Sequence, residues 1–215
     1  MRTSSWIPMI VLVVLGSLLF GCATDRPREG RSLAATAPQA DRHLFHAGAA
    51  VFVQDETPSP SLRFGYTRAL NENLSLHLDL ETLVLISDLT VKARVRPIDA
   101  LGLDFGLTGT AVVVPGQSAA MVGPHLGLWT SREIGALQIG GGLSTQLYLP
   151  CLTGVWINAS PPRTSCLAPA IRPKIVIGIP FFQQAVFDFL VGTQHTFQSD
   201  GIGFTSLELG AGISW

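Results

Sequence analysis

The side chains of this chain best suited to chemistry are ionisable groups set two residues apart. His77, Asp79 and Glu81 alternate with Leu76, Leu78 and Leu80, and Lys92, Arg94 and Arg96 alternate with Val91, Ala93 and Val95. Asp104 follows between Leu103 and Phe105. Two carboxylates placed like Asp79 and Glu81 could share a proton and activate a water. Adjacent Arg side chains would keep both ionised, the wrong state for that work. A second group, His195, Ser199 and Asp200, has the residue types of a nucleophilic site. Its His-x-x-x-Ser spacing, and the parity of His195 with Phe187 and Phe189, point instead to polar residues gathered near a loop. Gly140-Gly141-Gly142 lies inside an alternating stretch rather than ahead of a helix, so it is no phosphate cradle. Cys151 and Cys166 have no neighbouring His and make a poor zinc site. No catalytic residue, metal or cofactor is expected, and the chain is read as a non-enzyme.

The charges that remain are Arg63, His77, Asp79, Glu81, Lys92, Arg94, Arg96, Asp104, Arg172, Lys174, Asp188 and Glu208. Their positioning follows from a period of two that begins near His43 and lasts to Trp215. In 74–81 the even positions are all Leu, and in 207–215 Leu207, Leu209, Ala211, Ile213 and Trp215 share one face. A helix would scatter such residues around every side, so strands are the economical reading. About ten strands are predicted, near 43–54, 62–70, 74–85, 89–97, 100–114, 119–132, 135–149, 167–181, 185–197 and 202–215, with eight as the smaller count. Short turns are expected after every second strand. The other connections include a Pro-rich loop at 55–61 and a longer loop at 150–166 bearing both cysteines and an exposed Trp156. Pro124, Pro169 and Pro173 are expected to mark bulges or weak strands.

Composition narrows the class. Charged residues make up 13% and hydrophobic ones 47%, mean hydropathy is +0.38, and the formal net charge is −1. That balance excludes a basic nucleic-acid surface. Alternation alone does not decide which face points outward, since a soluble lipocalin-like barrel shows the same period with its apolar side inside. Here the polar face is full of small residues such as Gly102, Gly106, Gly140, Gly142, Gly210 and Gly212. These suit a narrow interior, and several strands carry too few charges for a water-facing surface. The fold class predicted is all-β: a single closed antiparallel up-and-down transmembrane barrel whose lumen holds the charge network as a plug.

The last eight residues, Glu208 to Trp215, have a polar residue, Gly210 two later, alternating hydrophobics through Ile213 and an aromatic end. This segment resembles the assembly signal of outer-membrane proteins, and the region after residue 43 resembles small OmpA/OmpX-type barrels as architecture only. The likeness implies engagement by the barrel-assembly machinery through Glu208, Gly210, Ile213 and Trp215. At the other end, Arg2 and an apolar run from Trp6 to Phe20 lead into Leu19-Phe20-Gly21-Cys22, similar to the lipobox of bacterial lipoproteins. That likeness implies a signal peptide at 1–21, acylation (palmitate) of Cys22, a flexible tether over 22–42 and the barrel over 43–215. With Cys22 acylated, Cys151 and Cys166 form an even pair, and a disulfide between them would stabilise by about 3 kcal/mol. The expected location is the outer membrane of a Gram-negative bacterium, lipid-anchored and with surface-exposed loops. The expected role is structural or interactive, toward membrane lipid and an unidentified envelope or extracellular partner, with no nucleic acid. The alternatives are a small porin-like passive channel, a lipid-modifying enzyme and a lipid-anchored lipocalin-like binding barrel.

Overall fold

A computed structural model describes residues 43–54, 56–98, 101–149, 153–158, 168–182, 185–198 and 201–215. The strands are β1 (His43–Gln54), β2 (Thr57–Asn71), β3 (Leu74–Leu83), β4 (Ile86–Ile98), β5 (Leu101–Val114), β6 (Gln117–Ile134), β7 (Leu137–Tyr148), the short β8 (Val155–Ile157), β9 (Ala168–Phe182), β10 (Ala185–Gln198) and β11 (Gly201–Ser214). Apart from β8, each strand pairs antiparallel with the next, and β11 returns to β1. Ten strands therefore close an up-and-down barrel. Closure runs from His46 opposite Ser214 to Val53 opposite Leu207, and the backbones of Phe45 and Trp215 exchange two hydrogen bonds of 2.9 Å.

The barrel is inverted relative to a water-soluble one. Large apolar residues such as Leu76, Leu78, Leu89, Val91, Phe105, Leu107, Ile175, Val191 and Leu209 lie exposed on the outside. Arg94, Asp104, Asp188 and Glu208 are buried within. The pleat makes this unavoidable: once one residue of a strand points inward, every second residue does too. No helix among the described residues is long and apolar enough to cross a membrane, which says nothing of crossing by strands.

Several expectations need correction. The Pro-rich loop at 55–61 is absent, because Thr57–Ser61 extends β2 and pairs with β1 up to Gln54 opposite Thr57. Short turns do not alternate with long loops: apart from the stretch holding β8, successive barrel strands are separated by two residues. Gly116 (φ 81°) and Gly135 (φ 62°) supply the left-handed backbone that two such turns require. Pro169 and Pro173 sit in regular register opposite Leu147 and Leu143 of β7, but the β9–β10 ladder skips Pro173, passing from Gly192 opposite Lys174 to His195 opposite Ile171, so the expected weakening holds on that side.

Pro124 does have a local effect. The Val122 backbone N–H donates to Thr153 Oγ1 on the side of β6 away from β5, so two residues later Pro124 presents its nitrogen to that same side, without a hydrogen. The β6–β7 ladder accordingly begins only at His125 opposite Gln146. Beyond it, Thr153 Oγ1 also donates to the Val122 carbonyl at 2.6 Å, and β8 pairs with Ser118–Ala120. One hydroxyl thus satisfies both backbone groups of Val122 where no strand can.

The expected disulfide is corrected as well. Among the described residues there is no disulfide bond, and the expected Cys151–Cys166 bridge is not retained; both cysteines lie outside the described residues. Among the described residues of the stretch, Thr153 and β8 are bound to β6. Trp156 is half-buried rather than exposed, while Val155 and Ile157 beside it are exposed. The signal peptide, Cys22 and the tether also lie outside the described residues.

Candidate functional site

The lumen is the candidate site, and its charges come from facing positions on neighbouring strands. Arg63 stands opposite Glu81 in the β2–β3 register, and Arg94 opposite Asp104 in the β4–β5 register. Arg63 donates to Glu81 Oε1 from Nε at 2.9 Å and from Nη2 at 2.6 Å, and also pairs with Glu208 of β11. Arg94 donates to Asp104 through Nε at 2.5 Å and Nη2 at 2.8 Å, a forked geometry that fixes both side chains. Lys92 lies between Asp79 at 3.2 Å and Asp104 at 3.4 Å. Arg172 of β9 reaches Glu81 of β3 at 3.2 Å. In a ten-strand ring, β3 and β9 stand on opposite walls, so this contact spans the lumen.

Aromatic rings support the guanidinium groups. Arg94 lies 5.3 Å from the centre of the Trp129 ring, and Arg63 and Arg172 lie 5.8 and 6.0 Å from that of Phe52. Two interior glycines make room for this layer. A Cβ on Gly142 would strike the Trp129 ring, and one on Gly102 would come within 2.8 Å of Arg94 Cδ. Trp129, Val176 and Leu190 form a small buried apolar cluster, so the lumen is not uniformly polar.

The charges do not fill the interior. A cavity of about 140 Å³ remains, lined by nine of the twelve charge-network residues expected from sequence: Arg63, His77, Asp79, Glu81, Lys92, Arg94, Asp104, Arg172 and Lys174. Glu208, Asp188 and Arg96 lie outside its lining. Asp188 accepts a hydrogen bond from Ser214 Oγ, which shares another at 3.2 Å with His46 Nδ1. This is a serine between a histidine and an acid, whereas a nucleophilic triad needs the histidine in the middle. His77 is held by Thr67 and Ser75, each at 2.9 Å.

Sequence reasoning missed His46, His125 and Asp88, all of which line the cavity. Asp88 accepts from Thr110 Oγ1 at 2.6 Å. Extending the parity of Lys92 back to residue 88 would have found it. His195 points outward and bonds Thr193 and Thr205 at 3.0 Å; Ser199 and Asp200 lie outside the described residues. Among the described residues no three His, Cys, Asp or Glu side chains gather as metal ligands. Of the terminal segment, Glu208 and Gly210 belong to the inner face. Ile213 points outward, and Trp215 stacks on Phe45 at 6.2 Å between ring centres.

No family model matches the chain, and no curated protein matches it. Among solved structures it is similar to the outer membrane protein OprG from Pseudomonas aeruginosa, at 12% identity and a TM-score of 0.35, covering 82% of this chain and 97% of that one. It is also similar to the N-terminal β-barrel domain of Pseudomonas aeruginosa OprF, at 9% identity and a TM-score of 0.30, covering 82% and 100%. A third, Acinetobacter baumannii CarO2, aligns at 13% identity and a TM-score of 0.21 over 80% and 98%. Overlaps this loose leave the architecture resting on the chain's own strand pairing.

Proposed function

We propose that the chain is an outer-membrane barrel that serves as a narrow passage for small polar solutes, held nearly shut at rest by its own ion pairs. The observation that carries this reading is the cavity left open among the charges. An ionic plug whose only task was to fill the lumen would leave no such space. The apolar exterior supports immersion in lipid, because exposing that many Leu, Val and Ile side chains to water would favour aggregation. The Arg172–Glu81 contact supports the resting constriction, since it joins opposite walls. Assembly through the terminal segment and anchoring by acyl chains on Cys22 complete the proposal, with membrane lipid and the assembly machinery as partners. No enzymatic role is assigned.

The test is conductance in planar bilayers. Wild type should show small, infrequent steps, and Arg172→Ala should raise the conductance several-fold by removing the cross-lumen tie. Absence of channel activity in both proteins would return the lumen to a purely structural role.

A further inference from the structure

The five Arg and Lys side chains that line the cavity pair off with carboxylates, with one exception. Arg63 and Arg172 share Glu81, Arg63 also holds Glu208, Arg94 is matched by Asp104, and Lys92 sits between two aspartates. Lys174 of β9 has no carboxylate oxygen within 4.0 Å among the described residues, although its side chain is part-buried and lines the cavity. Glu208 of β11 is already engaged by Arg63. A cation held inside a barrel wall without a counter-charge is costly.

A second unsatisfied group faces the same space. His125 is 8% exposed, and its Nε2 is buried without a hydrogen-bond partner. It lines the same cavity as Lys174. The lining as a whole carries five Arg and Lys side chains against four carboxylates. Glu208, held by Arg63 from outside that lining, makes the count even, so the unmet need is local to Lys174, and the cavity has volume for several waters or one small organic ion.

We infer that this cavity binds a small oxyanion, a carboxylate or an inorganic phosphate, with Lys174 as its principal cation and His125 as a donor. The anion completes the pairing that the protein leaves undone, and a strong contact needs only one free ammonium and one free N–H. The inference deepens the passage reading by naming the solute class, and rests on that reading for the solute's route to the site. Binding at equilibrium is measured without any current, so the two can fail separately.

The experiment is isothermal titration of the full chain, folded in detergent micelles at low ionic strength, with sodium acetate and, in a separate arm, sodium phosphate. Saturable single-site binding is expected in at least one arm, and which arm it is identifies the oxyanion. Lys174→Met keeps the aliphatic stem and should weaken that binding at least tenfold, while Arg68→Met, an exposed change, should leave it unaltered. Heat-dependent gel mobility confirms that each variant is folded. The inference is overturned by no saturable binding in either arm, by undiminished binding in folded Lys174→Met, or by an equal loss in Arg68→Met.

Discussion

Asp104→Asn removes one charge from the interior while keeping its shape. In the wild type this carboxylate receives both arms of the Arg94 fork and lies 3.4 Å from Lys92. Arg94 and Asp104 are 6% and 4% exposed, so neither can turn to bulk water. The variant leaves the Arg94 guanidinium over Trp129 without its carboxylate, whereas Lys92 keeps Asp79. Removing one partner of a buried pair costs about 3–5 kcal/mol. At a urea dependence of about 1–3 kcal/mol per molar, a loss of that size moves the unfolding midpoint down by at least ~1 M. Trp fluorescence during urea unfolding in lipid vesicles reads the shift. Arg94→Met combined with Asp104→Leu removes both charges and should recover most of the loss, because an apolar pair carries no desolvation penalty. An unchanged midpoint for Asp104→Asn, or a double variant weaker than the single one, would refute a low-dielectric interior held by matched charges.

Three further outcomes are expected. Leu78→Arg places a charge on the outer face and should cost about 2–4 kcal/mol in the same unfolding assay. His77→Ser, inside, should cost only about 1 kcal/mol for its lost hydrogen bonds; the reverse ranking would mean that the faces are inverted. Gly142→Ala drives a methyl into the Trp129 ring and should destabilise by about 1–3 kcal/mol, with an altered near-ultraviolet dichroism signal. Cells treated with globomycin should accumulate a larger precursor, and Cys22→Ala should lose metabolic palmitate label; a normal mature band under the drug would remove the acyl anchor.

Legibility followed the contrast between the two faces of each strand. Over β3 and β4, Leu and Val on one side oppose His, Asp, Glu, Lys and Arg on the other, and both the strands and their inward charges could be read directly. In β1 both faces are apolar: Leu44, Ala50 and Phe52 are buried while Phe45 is exposed. Parity there carried no signal, and His46 went unnoticed. Composition misled at 57–61, where Pro58 and Pro60 read as loop yet stand opposite Val53 and Val51. Trp129, Val176 and Leu190 were hidden because their residue types match the outward face. Their parity with Gly127, Lys174 and Asp188 was the better guide. The open space among the charges had no signature in sequence at all, since it depends on how far opposite walls stand apart.

The closure of β1 on β11 bears on how such a wall is made and lost. Nearly every other pairing joins strands two residues apart in the chain, so those hairpins form locally and their search is short. The final seam brings Phe45 to Trp215 across the full run of intervening residues, an ordering cost of roughly 4–5 kcal/mol by the logarithmic rule for flexible loops. Until it zips, the inward acids and bases line an open trough wetted along its length, and the gain from matching them in a dry interior has not yet been realised. Closing the cylinder and strengthening its ion pairs are thus one cooperative event. A lesion anywhere along that seam should act on the far wall as strongly as on its own.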